Sequence, residues 1–203
     1  QGIAASGDPS PITAMGIYLG IRETAKRAFG TDDLNGRTIA VQGVGSVGGH
    51  VCEHLAKAGA NLIITDIDQV ALADVSSRTG ARIVTPDEIY DAEADIFSPN
   101  ALGAIINADT LKRLKVRVIA GGANNQLVTP AMGEFVRRAG ILYAPDYVIN
   151  GGGIINVSAE ILHIEDPAPW VEDKLKAIET TMERILARAE GENASPAHLA
   201  DGI

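Results

Sequence analysis

Cysteine is almost missing from this 203-residue chain. Cys52 stands alone, so no internal disulfide can form, and its place in a helical segment makes it a small buried hydrophobe. No apolar run is long enough to span a bilayer, and no secretory leader is visible. The first residue is Gln1 rather than methionine, so the chain is expected to be a fragment of something longer. Excess positive charge is also lacking. The net charge is −9 and the pI about 4.9, which disfavours non-specific binding to nucleic acid or to anionic membranes. That balance is expected of a soluble, cytoplasmic enzyme. Internal repeats and low-complexity tracts do not stand out. Of the four histidines (50, 54, 163 and 198), only His50 and His54 stand four apart, with Glu53 between them. That pair reads as surface, and no metal is expected. No Ser-His-Asp arrangement can be drawn.

What the chain does have is glycine, 22 residues of it, and 46% hydrophobic content, which fits a compact, turn-rich α/β protein. Its organising stretch is residues 38–66. Thr38, Ile39, Ala40 and Val41 read as a buried strand. Gly43, Gly45 and Gly48 then make the G-x-G-x-x-G spacing. The first allows a sharp turn, the second lets the backbone approach a pyrophosphate, and the third lets helix pack closely on strand. Val47, Val51 and Leu55 share a helical face, and Gly59 supplies a stop. Leu62, Ile63 and Ile64 form the next strand, which ends at Thr65 and Asp66. Asp66 follows Gly48 by 18 positions, close to the ~20 expected of a ribose-binding acid. The plainer alternative is a glycine turn with a capping aspartate. A carboxylate here favours NAD over NADP, because it repels a 2′-phosphate. Asp68 is a second candidate, but suits the cap of the helix through Val70 and Leu72 better.

The remaining segments alternate. Residues 10–29 read as a helix with Ser10 as cap, Pro11 at its first position and Gly30 at its end. Helix is expected over 69–78, strand over 82–84, and a short helix capped by Thr85. Residues 95–98 read as strand, and Asn107 or Asp109 caps a helix through Leu111 and Leu114. Residues 116–120 read as strand, 129–138 as helix opened by Thr129-Pro130, and 141–143 as the last strand. An apolar helix follows the glycine run at 151–153. Pro167 and Pro169 break the chain before an amphipathic helix carrying Trp170, Leu175, Ile178, Met182, Ile185 and Leu186. Residues 191–196 read as a polar turn, and 198–203 as the start of another helix.

Such alternation predicts an α/β fold: a doubly wound, mostly parallel sheet (Rossmann) with helical N- and C-terminal extensions. The expected division is a linker and helix at 1–36, a dinucleotide-binding core at 37–150, and C-terminal helices packing on it at 151–203. Right-handed crossovers put the loops after the strands on one edge. The glycine turn, Asp66, the Pro99 loop, the Asn124 loop and the 145–153 loop should therefore meet in one crevice.

Several of these loops carry a resemblance. Ser10-Pro11-Ile12-Thr13-Ala14-Met15-Gly16, the glycine turn with Asp66, Pro99-Asn100-Ala101-Leu102-Gly103, Gly121-Gly122-Ala123-Asn124-Asn125-Gln126, and Tyr143-Ala144-Pro145-Asp146-Tyr147 running into Asn150-Gly151-Gly152-Gly153 occur in one order over residues 7–160. Together they resemble the NAD-binding domain of the glutamate/leucine/phenylalanine/valine dehydrogenases, and its leucine/phenylalanine/valine branch in particular. The resemblance implies reversible oxidative deamination of an apolar, branched-chain or aromatic L-amino acid: with NAD and water it gives the 2-oxo acid, NADH and ammonium. It also implies that the acid/base lysine, the carboxylate-binding lysine and a catalytic aspartate lie in an N-terminal substrate domain that this sequence lacks. The chain is then expected to be inactive alone, with no catalytic residue of its own, and a homo-oligomer when full length. The alternatives are a glutamate-type dehydrogenase domain or a non-catalytic NAD-binding module.

By resemblance the cofactor-binding set is Thr13, Gly43, Gly45, Ser46, Val47, Gly48, Asp66, Ala101, Asn124 and Asn150. Thr13 would hydrogen-bond the nicotinamide carboxamide, or be an ordinary first-turn threonine. Asn124 would reach the nicotinamide ribose and Asn125 the substrate amino group, or both would serve a turn. Asn150 would contact nicotinamide or substrate, or cap the next helix. Ala101 and its neighbours would line the adenosine side. Asn100 stands where the resemblance leads one to expect cysteine. Ile154 and Ile155 would shape an apolar substrate pocket, with Val157 reading rather as helix core.

Overall fold

The computed structural model describes residues 8–200, apart from residues 163 and 165 and the side chains of residues 156 and 160. Most of the expected linker, His163 and the last three residues therefore lie outside the described residues. Six strands form one parallel sheet: β1 (Thr38–Gln42), β2 (Asn61–Thr65), β3 (Arg82–Ile83), β4 (Ile96–Pro99), β5 (Val118–Ile119) and β6 (Leu142–Tyr143). Their order is β3-β2-β1-β4-β5-β6. The chain thus winds outward from β1 in one direction and then, from β4, in the other. This reversal is the topological switch point at which α/β sheets open a crevice. Register places Gln42 opposite both Thr65 and Pro99. Gly43, Asp66 and Asn100 therefore leave the sheet side by side.

Nine helices are described: α1 (Ser10–Phe29), α2 (Ser46–Lys57), α3 (Gln69–Thr79), α4 (Ala108–Arg113), α5 (Met132–Arg138), α6 (Asp146–Ile149), α7 (Gly152–Ile161), α8 (Pro167–Glu192) and α9 (Pro196–Ala200). α1 packs against α2, α7 and α8. On this face of the sheet Ile17, Ile21, Val51, Leu55, Ile64 and Met182 form the larger core. On the other face Phe97, Ile89, Ile106, Ile119 and Val136 form a smaller one. Strands covered on both sides need apolar runs, which is why Ile39-Ala40-Val41 in β1 and Leu62-Ile63-Ile64 in β2 read as such. Cys52 is fully buried in the larger core, and burial pushes its thiol up to about 12. Among the described residues no helix is long and apolar enough to cross a membrane.

Local chemistry changes several expectations. Pro9, not Ser10, holds the cap position of α1, and the Ser10 N–H donates to the Asp8 carboxylate at 2.9 Å. α7 and α8 are separate helices, as the two prolines lead one to expect, but Pro167 and Pro169 themselves lie in the first turn of α8, where a missing N–H costs nothing. α8 runs on through Gly191 and ends at Asn193, which takes the left-handed conformation. Residues 85–91 give only a single 3-10 turn, although Thr85 and Glu88 do bond reciprocally. β5 and β6 are shorter than expected. His50 and His54 are half-buried rather than surface groups. His54 stacks on Tyr18 with centroids 5.4 Å apart. Burial first, then the charges of Lys57 and His50, lower its pKa.

Candidate functional site

The glycine turn joins β1 to α2. Gly43 has φ +91°, and a Cβ there would lie 2.6 Å from the Ala101 Cβ, so two loops touch through it. A Cβ on Gly48 would meet the Gly43 carbonyl oxygen at 2.0 Å, which closes the helix onto the turn. Gly45 is different. Its φ is −63° and nothing lies within 4 Å of its built Cβ. Among the described residues no contact fills that space. Asp68 caps α3 and Asn107 caps α4 through side-chain oxygens, but α2 receives no side-chain cap. Among the described residues no side chain bonds the first-turn amides of α2, around Ser46 and Val47, a geometry that suits an anion.

Asp66 crosses from β2 to this turn. Its Oδ2 accepts the Val44 N–H at 2.7 Å, and its Oδ1 accepts the Asp68 N–H at 3.0 Å. A carboxylate has about four acceptor positions, so two remain for a ligand. The carboxyl is half-buried and held at the turn, not directed away from it. Asp68 is the cap of α3, accepting from Val70 and Ala71. Two exposed apolar neighbours stand out beside the selected residues: Ile67 (89% exposed) next to Asp66, and Leu102 (68%) next to Ala101. Leu102 falls among the Ala101 neighbours expected on the adenosine side, whereas Ile67 is not singled out by the sequence despite its adjacency to Asp66.

Alongside the turn lies a cleft of about 740 Å³, within the range of cofactor and ligand sites. Thr13, Val47, Ala101, Asn124, Asn150 and Ile154 all line it. The Thr13 hydroxyl donates to the Pro9 carbonyl at 2.9 Å, leaving its oxygen open as an acceptor. The Asn150 Nδ2 donates to Asn124 Oδ1 at 2.6 Å and to the Gly122 carbonyl at 3.3 Å. Val157 and Ile161 face the cleft together with Ile154, at helical spacing. Ile155 is half-buried and packs against the larger core instead. Position on the helix decides this: 154, 157 and 161 share one stripe of α7 and 155 lies off it. None of the lining residues is charged or titrates near neutral pH.

Asn125 is not part of this cleft. It takes φ +53° and lines a second one, with Gln126, Thr129, Tyr143, Asp146 and His198 among its neighbours. The Asn124 loop therefore separates the two. Burial, reinforced by the Asp146 charge, raises the Tyr143 phenol.

A family model described as glutamate/leucine/phenylalanine/valine dehydrogenase matches residues 62–196. The chain is 50% identical over 196 residues to leucine dehydrogenase of Bacillus subtilis (strain 168), covering 97% of this chain and 53% of that protein. It is 40% identical over 201 residues to phenylalanine dehydrogenase of Caldalkalibacillus thermarum (strain TA2.A1), covering 97% and 54%. Among solved structures, L-tryptophan dehydrogenase from Nostoc punctiforme superposes with a TM-score of 0.92 at 38% identity, over 97% of this chain and 60% of that one. The chain spans about half the length of the curated relatives it matches.

Proposed function

The chain belongs to the glutamate/leucine/phenylalanine/valine dehydrogenase family, and from that we propose that it is the NAD-binding domain of an L-amino-acid dehydrogenase acting on an apolar substrate. One observation carries the cofactor reading: Gly45 leaves an unfilled space at an uncapped helix start, beside a carboxylate fixed to the same turn. A diphosphate needs the first two features and an adenosine ribose the third. The turn of Gly43, Gly45, Ser46, Val47 and Gly48 would hold the diphosphate. Asp66 would accept from the ribose hydroxyls and repel a 2′-phosphate, which selects NAD. Exposed Ile67 and Leu102, with Ala101, would flank the adenine. Thr13, Asn124 and Asn150 would orient the nicotinamide, and the stripe of Ile154, Val157 and Ile161 would receive an apolar side chain.

Bound NAD supplies the chemistry of the oxidation, accepting hydrogen with its electron pair from the substrate Cα. Deamination also needs a group that moves protons, and no titratable side chain lines the cleft among the described residues. We therefore place the lysines and the aspartate that the resemblance implies in the half of the enzyme this chain does not cover. Substrate would then be enclosed between the two halves, in a cytoplasmic homo-oligomer.

Calorimetric titration with NADH and NADPH tests the reading. The chain should bind NADH with micromolar affinity and NADPH far more weakly. Asp66→Ala should weaken NADH about tenfold and narrow the gap to NADPH. A chain that binds neither dinucleotide has another function.

A further inference from the structure

The loop after β5 carries two glycines in a row, Gly121 and Gly122, which by themselves would leave it without a fixed shape. Side-chain amides supply the shape. The Gln126 Nε2 donates to the Gly121 carbonyl at 2.5 Å, and the Asn100 Oδ1 accepts the Gly122 N–H at 2.9 Å. The peptide joining Gly121 to Gly122 is thus gripped at its C=O and at its N–H. The other end of the Asn100 amide is fixed as well, because its Nδ2 donates to the Ser98 carbonyl and to the Ser98 Oγ, both at 3.0 Å. Its own N–H donates to the Gln42 carbonyl at 2.6 Å. One side chain therefore ties the end of β4 to the loop after β5, while its backbone ties it to β1.

The next carbonyl along, that of Gly122, accepts from Asn150. A carbonyl can only accept, so it forces the Asn150 amide to present nitrogen inward. Asn124 must then turn its oxygen to that same nitrogen, as it does at 2.6 Å. This leaves the Asn150 oxygen as an acceptor and the Asn124 nitrogen as a donor, neither with a partner among the described residues. An acceptor beside a donor is the complement of a primary carboxamide.

We infer that Asn100 is a positioning residue for the carboxamide end of the cofactor: by holding Gly122 it sets the place and polarity of the Asn150–Asn124 pair. The inference rests on the dinucleotide reading above. A cysteine at position 100, expected from the family resemblance, would make only weak bonds to the same partners.

The probes are NADH and ADP-ribose, which keeps the adenosine and diphosphate but lacks nicotinamide. Both are titrated into the chain and its variants. Asn100→Ala should weaken NADH roughly three- to tenfold while ADP-ribose stays within about twofold. In an Asn150→Ala background the same change should add less than about twofold, because Asn100 acts through Asn150. If melting curves show Asn100→Ala unfolded, Asn100→Ser gives the same comparison with a smaller shift. Parallel loss of both ligands, or losses that multiply with Asn150→Ala, overturns the relay. Tight ADP-ribose binding with no added affinity for NADH in the unaltered chain overturns it too, while the diphosphate site stands. Binding of neither probe overturns the relay and the dinucleotide reading together.

Discussion

Each edge of the sheet carries a cleft, and the two differ in what their polar groups already hold. Among the described residues, the cleft at the C-terminal edge is uncharged, the start of α2 has no side-chain cap, and the Asn124–Asn150 pair leaves a donor and an acceptor open. At the N-terminal edge a cleft of about 320 Å³ is lined by Arg27, Arg117 and Arg137. By charge alone this arginine-lined cleft is the better anion site. Its arginines, however, are engaged. Arg27 pairs with Glu190, Arg117 donates to the Ala28 carbonyl at 2.5 Å, and Arg137 bonds Glu134 and Asn193. The C-terminal ends of α1, α5 and α8 meet here, and cations belong at such ends. Open hydrogen-bonding capacity, not formal charge, separates the cleft we propose for the cofactor from the structural one.

Substitutions can break this contrast. The largest effect is expected from Gly48→Ala, whose methyl would collide with the Gly43 carbonyl at 2.0 Å. Denaturant unfolding should show a loss of about 3 kcal/mol, near the upper end for overpacking. Gly45→Ala should separate folding from binding. With nothing within 4 Å, stability should stay within about 0.5 kcal/mol, while NADH affinity falls about tenfold. Arg117→Ala tests the opposite edge. The guanidinium lies 4.9 Å from the Phe29 ring centroid as well as on Ala28. Its loss should lower stability by about 1 kcal/mol and leave NADH affinity within about twofold. A large loss of affinity there would erase the distinction between the clefts.

The smallest effect is a pH dependence at the α1–α2 contact. His54 has its pKa lowered in the folded chain, so the unfolded chain binds the proton more readily. Its contribution to stability is full above the ordinary value of about 6.5 and is lost as pH falls from there through the folded value. The melting temperature should drop between neutral and mildly acid pH, and less so in His54→Phe. Cys52, with its thiol pushed up to about 12, should stay unmodified by iodoacetamide at pH 8 until denaturant is added.

Much of this fold could be read from particular residues. The apolar runs at 39–41 and 62–64 became β1 and β2, and Asp68 and Asn107 became caps. Those features are local: a strand buried on both faces needs a run, and a cap needs an oxygen next to free amides. Errors gathered where neighbours outside the local stretch decide. Whether the amphipathic helix starts at Pro167 or after Pro169 is not fixed by the prolines alone, and whether His54 is exposed depends on Tyr18, far off in sequence. Asn125 is expected at the substrate by family resemblance, and Ile155 in an apolar pocket beside Ile154. A left-handed turn and a helical stripe separate them from the cleft.

The amino-acid order by itself determined the βαβ unit, the glycine turn and the acidic residue after β2, because periodicity and spacing act over a few residues. Only the assembled structure decided which polar atoms remain unbonded. A hydrogen bond between residues 28 apart in sequence, such as Asn150 to Gly122, exists once β4, β5 and β6 lie side by side. Register, not composition, thus set the polarity of the cleft.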